Sequence, residues 1–172
     1  MKVNYLSKRD AGQLLERIRR FSWAEGIDAG KPRNVLRIME DDFTLYRILG
    51  YVICERGGAI FPTVHEEYNR ELLDRIPALV VDMGAVPHIA RGADVMRPGV
   101  RSIRGSFKED EIVVVRDERN LKPLSICIAL EGSERLREIE KGRVAKNIHH
   151  VNDRIWRLVR DLRHLIERGQ SP

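Results

Sequence analysis

The sequence predicts an α+β protein: a small N-terminal α+β domain, then a β pseudo-barrel, then a C-terminal helix. Three observations carry this. Helical periodicity alternates with short β-rich runs as far as Pro77. Beyond it, Ile112-Val113-Val114-Val115 is too apolar for a half-exposed strand, so both its faces should be buried. Large and small residues then alternate from Leu124 to Leu130, leaving room at Ser125, Cys127 and Ala129 as a small curved, closed sheet requires.

Ser7 opens the first helix, with Asp10 at the third position, and Ala11, Leu14, Leu15, Ile18 and Phe21 share a face. A loop covers 22–32. Strands are expected over 34–39, 43–49 and 51–55, separated by Glu40-Asp41-Asp42 and Gly50 as an antiparallel meander. Thr63 and Glu66 form a T-x-x-E capping box for a second helix, whose stripe is Val64, Tyr68, Leu72 and Ile76. Pro77 ends that helix and marks a boundary.

The second domain starts with a strand over 78–82. Further on, Ser133 opens a short helix that Gly142 terminates, and residues 144–151 return as a strand. Asn152 caps the final helix. There Ile155, Leu158, Val159, Leu162, Leu165 and Ile166 share one face, while Arg157, Arg160, His164 and Arg168 project away from it. The expected domains are thus 1–76, 77–153 and a basic helix over 154–172.

Residues 82–100, D-M-G-A-V-P-H-I-A-R-G-A-D-V-M-R-P-G-V, are the most informative segment. A very short helix carries Pro87 in its first turn, where proline costs no hydrogen bond, and Gly92 closes it. Met96-Arg97-Pro98-Gly99 makes a tight turn that should be exposed. Glycine lets a ligand approach main-chain N–H groups closely, and Gly99 is expected to serve that approach. Arg91, Arg97, Arg101 and Arg104 surround this backbone against one acid, Asp94. Such a turn is suited to holding phosphate.

The pattern G-A-x(6)-G-A-x-x-M-x-P-G-V resembles the opening of a PUA domain, the RNA-binding barrel named after pseudouridine synthases and archaeosine transglycosylases. Residues 141–156, K-G-R-V-A-K-N-I-H-H-V-N-D-R-I-W, are similar to the closing segment of one subfamily, and Gly58-Ala59-Ile60-Phe61-Pro62-Thr63 also fits it. That subfamily comprises the malignant-T-cell-amplified-sequence proteins, the translation-machinery-associated factors and the N-terminal part of ligatin. The resemblance covers nearly the whole chain. It implies binding to structured RNA (tRNA or rRNA) on the small ribosomal subunit, in initiation or recycling, and for eukaryotic members a SUI-type-domain partner. The long basic segment after Trp156 departs from those eukaryotic members and looks more like archaeal ones. The expected RNA-binding residues are Arg91, Gly92, Arg97, Pro98, Gly99, Arg101, Arg104, Lys146 and His149.

Charge placement agrees with that expectation. Residues 1–75 carry thirteen Lys/Arg against twelve Asp/Glu, whereas residues 141–172 carry eight against three, so the net +5 of the chain is concentrated at its end. Clustered cations favour approach to a polyanion and release its counterions. No apolar run approaches the ~20 residues of a membrane span, and the opening lacks the apolar core of a signal peptide. A cytoplasmic protein is expected. Cys54 and Cys127 are too few and too far apart for a disulfide scaffold or zinc module, and both read as buried, inert thiols.

No phosphate loop, G-x-G-x-x-G motif or nucleophile elbow occurs. His149 and His150 are adjacent on a strand and point to opposite faces, so they cannot chelate one metal; one should pack inward. His65 with Glu66 and Glu67 could suggest acid–base chemistry, but capping and solvation account for the acids. A non-catalytic protein without cofactor or metal is expected. The alternative is a subunit that delivers tRNA to a separate modification enzyme such as a transglycosylase or pseudouridine synthase.

Overall fold

The Ser7 hydroxyl accepts the Asp10 N–H at 3.0 Å, and helix α1 (Lys8–Arg19) then buries Ala11, Leu14, Leu15 and Ile18. The computed structural model describes residues 1–28 and 30–168; the last four residues of the expected C-terminal helix, 169–172, lie outside them. The chain divides into two compact units, one formed by residues 1–75 with the segment from Arg157 onward, the other by 76–156.

In the first unit five antiparallel strands lie side by side in chain order: β1 (Lys2–Tyr5), β2 (Leu36–Met39), β3 (Thr44–Ile48), β4 (Tyr51–Arg56) and β5 (Ala59–Pro62). The expected meander supplies the middle three, and β1 and β5 add an edge on either side. Leu49 and Gly50, both at positive φ, form the two-residue hairpin between β3 and β4.

The capping box expected at Thr63 does not form. Thr63 N–H donates to the Val52 carbonyl at 3.1 Å, prolonging the pairing of β5, so helix α2 (Glu66–Leu73) starts only after His65. The Thr63 hydroxyl lies 2.9 Å from His65 Nδ1 and accepts from Asn69 Nδ2 at 3.1 Å. Asn69, fully buried, exchanges hydrogen bonds with Val52 N–H at 3.0 Å and Val52 carbonyl at 2.8 Å. This pairing ties α2 to β4 where the sequence suggested only an apolar stripe.

The C-terminal segment also differs from expectation. Asn152 adopts φ +66° and does not cap; Asp153 does, its Oδ1 accepting the Trp156 N–H at 2.8 Å. The single helix is two, α5 (Arg154–Asp161) and α6 (Arg163–Ile166), because Leu162 leaves helical geometry between them. The apolar/basic division holds: Ile155, Val159 and Ile166 are buried, and Arg157, Arg160, His164 and Arg168 are exposed. Within the first unit, Arg47 Nε donates to the Ile166 carbonyl at 3.0 Å and the guanidinium lies 5.0 Å from the Tyr68 ring centre. Burial depresses the Arg47 pKa, with Tyr68 and Glu167 opposing.

The second unit holds β6 (Ala78–Val81), α3 (Val86–Ile89), β7 (Val95–Met96), β8 (Val100–Arg104), β9 (Ile112–Asp117), β10 (Pro123–Ala129), α4 (Ser133–Glu138) and β11 (Arg143–His150). Its sheet order is β7-β11-β10-β9-β6-β8, with only the β6–β9 pair parallel. Strand β9 is flanked on both sides, and Val113, Val114 and Val115 are wholly buried as expected. The small residues Cys127 and Ala129 face the core, beside Leu79, Phe107, Val113 and Leu136. Helix α4 ends at Glu138 and not at Gly142, because Ile139 already turns extended. Gly142, at φ +98°, instead makes the turn into β11.

Candidate nucleic-acid interface

The two end strands of the second sheet, β7 and β8, are consecutive in sequence and joined by a 3-10 turn at Arg97–Gly99. The sheet therefore curls until its ends meet, and the Pro-Gly turn is the seam. Fixed proline φ and a missing side chain suit such a tight junction. Arg97 N–H donates to the Gly142 carbonyl at 2.8 Å, and Asp82 N–H to the Gly99 carbonyl at 2.9 Å, so the seam is tied on both sides.

A cleft of about 340 Å³ opens between α3 and the seam, walled by Val81, Ala85, Ile89 and Met96, with His88 and Asp94 as its polar members. Pro87 stands in the first turn of α3 and Gly92, at φ +98°, ends it, as expected. A side chain at Gly92 would meet His150 Nε2 at 3.1 Å. Gly99 is required for another reason than positive φ, which it lacks: a Cβ there would stand 3.3 Å from that of Ala85. The glycine lets the seam approach α3.

Arg91 is exposed just after α3, and Pro98 is exposed at the seam. Arg101 is exposed on β8, 3.5 Å from Glu118. Arg104 is exposed at the far end of β8, roughly 16 Å along the strand from Gly99 at about 3.3 Å per residue. Lys146 is exposed on β11, the strand that pairs with β7.

Two expected contact residues have other work. Arg97 is half-buried: its Nε donates to the Leu136 carbonyl at 2.9 Å and its Nη1 to the Val100 carbonyl at 3.2 Å. It pins the seam to α4 and does not stand free in an exposed turn. His149 is 0% exposed and its Nδ1 lies 2.9 Å from Asp153 Oδ2. It is the inward-facing member of the histidine pair, and burial removes it from any RNA-contacting set. Burial pushes Asp153 up, but His149 and the N–H groups of Trp156 and His150 outweigh it and hold the carboxyl below its ordinary value.

Three residues outside the expected set shape the cleft. Asp94 accepts the Asn147 N–H at 2.8 Å and Arg143 Nη1 at 3.0 Å. Asn147 Nδ2 donates to the Ile89 and Ala93 carbonyls at 3.1 and 3.0 Å. Only the polar character of Asn147 within a strand hinted at such a duty. Both cysteines are buried, and desolvation pushes the Cys127 thiol up to about 12. Among the described residues no group of three or more His, Cys, Asp or Glu is placed to hold a metal, and no helix is long and apolar enough to cross a membrane.

The PUA domain family model matches residues 77–151, the stretch that contains the seam and cleft. An uncharacterized protein of Methanocaldococcus jannaschii is 33% identical, with 88% of this chain and 93% of that one covered. This chain belongs to the PUA-domain family. The branch is that of the translation machinery-associated and malignant T-cell-amplified sequence proteins. Translation machinery-associated protein 20 of Eremothecium gossypii is 33% identical over 77% of each chain. Among solved structures, a hypothetical protein of Pyrococcus horikoshii aligns with TM-score 0.75 and 31% identity, covering 91% of this chain and 99% of that one. The PUA pseudo-barrel is therefore the second unit's fold, and the curled six-stranded sheet is its physical form.

Proposed function

We propose that this PUA-domain protein is a non-catalytic RNA-binding factor of translation, gripping tRNA or the RNA of the small ribosomal subunit. One observation carries the reading: an apolar cleft opens beside a backbone seam, and Arg91, Arg101 and Lys146 are exposed on the loop after α3, on β8 and on β11, the strand paired with β7. The cleft offers apolar walls to an unstacked base, and Asp94 and His88 offer hydrogen bonds to its edge. The cations offer contacts to phosphates, which position RNA without reading its sequence. Arg104 extends the basic track along β8. Arg97 acts indirectly, by fixing the seam. The translation-associated names of the relatives support the same setting.

Titration of tRNA transcripts against the full chain at several salt concentrations tests this. The affinity should fall steeply with salt, by about 0.7 log units per log unit of salt for each single-stranded phosphate neutralised. Affinity indifferent to salt would remove the electrostatic account. Nucleosides of tRNA incubated with the protein alone should be unchanged by mass spectrometry.

A further inference from the structure

Among the described residues, strand β1 stands at the end of the first sheet, hydrogen-bonded to β2 alone. Its register pairs Val3 with Ile38 and Tyr5 with Leu36, while Asn4 pairs with Arg37. Leu6 N–H donates to the Val35 carbonyl at 2.9 Å, so Leu6, Asn4 and Lys2 direct their backbone groups toward β2. The alternation of an antiparallel pair then turns the N–H and C=O groups of Val3 and Tyr5 outward, to the free edge.

Val3 and Tyr5 lie on the face that carries buried Leu36 and Ile38, yet they are 39% and 60% exposed. The opposite face carries exposed Lys2 and, beside Met39 and Leu6, Arg37, whose Nε donates to Asn4 Oδ1 at 3.1 Å. Residues 1–9 and 31–39 hold six cations and no acid. Lys8, Arg9, Lys31 and Arg33 are all exposed, around the Leu6–Val35 end of the strand pair. Edge strands are ordinarily blunted by charge, proline or a covering element. Here the protection is slight: one lysine, and the Asn4 amide resting 3.3 Å from the Tyr5 carbonyl.

We propose that this edge accepts an extended strand of a protein partner in which acidic and apolar residues alternate. The backbone of that strand pairs with the outward groups of Val3 and Tyr5. Its apolar side chains continue the Val3/Tyr5 face, and its acids meet Lys2 at one end and the cations beyond Leu6 and Val35 at the other. Main-chain pairing supplies affinity and the alternating side chains supply specificity. An acidic strand suits this surface better than RNA, because the exposed groups repeat with the two-residue period of a strand.

The test uses the full chain and a labelled peptide of alternating glutamate and valine, read by fluorescence anisotropy. The parent should bind it, and a lysine/valine peptide should not bind. Val3→Pro removes an outward N–H without touching a bond to β2 and should weaken binding about tenfold or more, that is by about 1.4 kcal/mol. Lys2→Glu with Arg33→Glu, a purely surface change, should weaken it similarly. Failure of the parent to bind overturns the proposal, as does equal binding by parent and Val3→Pro. If Val3→Pro instead loses tRNA affinity, the edge is an RNA surface. If it dissociates a dimer of the parent in sedimentation, the edge belongs to a second copy. Either result also overturns it.

Discussion

Asn147 N–H donates to Asp94 Oδ1 across 2.8 Å, while the Asn147 side chain reaches the carbonyls of Ile89 and Ala93. One residue of β11 thus straps both the end of α3 and the loop that follows, setting the width of the cleft. Asn147→Ala should cost about 1–3 kcal/mol, since two carbonyls lose their donor. Asn147→Asp should cost more, because carboxylate oxygens would face those carbonyls without a proton to offer. Thermal melts at neutral pH check this. Equal midpoints for the two variants would mean that the strap is mere packing.

The arginines around the seam should separate into two classes. Arg101→Glu and Arg104→Glu alter exposed side chains and should change stability within ~0.5 kcal/mol while lowering tRNA affinity. The ion pair of Arg101 with Glu118 is exposed and contributes little. Arg97→Met should do the reverse first, destabilising by about 1–3 kcal/mol through the carbonyls of Leu136 and Val100. Melts and filter binding on the same preparations distinguish them, and an Arg97→Met protein that melts like the parent would return Arg97 to the contacting set.

Acid should expose the contribution of Asp153. Its folded-state pKa is depressed, so its stabilisation is fully present above the unfolded value, about 3.9, and is lost as pH falls through the lower folded value. Asp153→Asn keeps a capping side chain but loses the His149 pair. Its melting deficit should be largest near neutral pH and shrink on acidification below about pH 4. A deficit constant with pH would show that charge plays no part.

Gly92→Ala combines two costs, an L-residue at φ +98° and a Cβ 3.1 Å from His150 Nε2. Strain of this kind costs on the order of 1–3 kcal/mol. Adding His150→Ala should recover the contact part and leave the backbone part. Full recovery in the double variant, measured by chemical denaturation, would assign the entire cost to the histidine.

Local chemistry makes much of this architecture legible in the sequence. Pro87 and Gly92 delimit α3, Ser7 caps α1, and the valine run of β9 is buried on both faces. Competition between neighbours hid other features. Thr63 suits a helix cap, but its backbone is taken by Val52. Asn152 and Asp153 both suit a cap, and only the positive φ of Asn152 decides between them. Period-two alternation separates His149 from His150 without saying which is inside. Arg97 looked like its neighbours because the Leu136 carbonyl that claims it lies 39 residues away. Strand β1 is four residues long, too short for alternation to speak.

The hydrogen bond from Arg47 to the carbonyl of Ile166 spans 119 residues, and the segment that closes the first unit is synthesised only after the barrel. The PUA barrel is consequently an insertion, complete in sequence before the unit that precedes it. On a translating ribosome the usual N-to-C order of domain maturation is inverted here. The Arg47 guanidinium is without the Ile166 carbonyl until the barrel has been made and α6 follows.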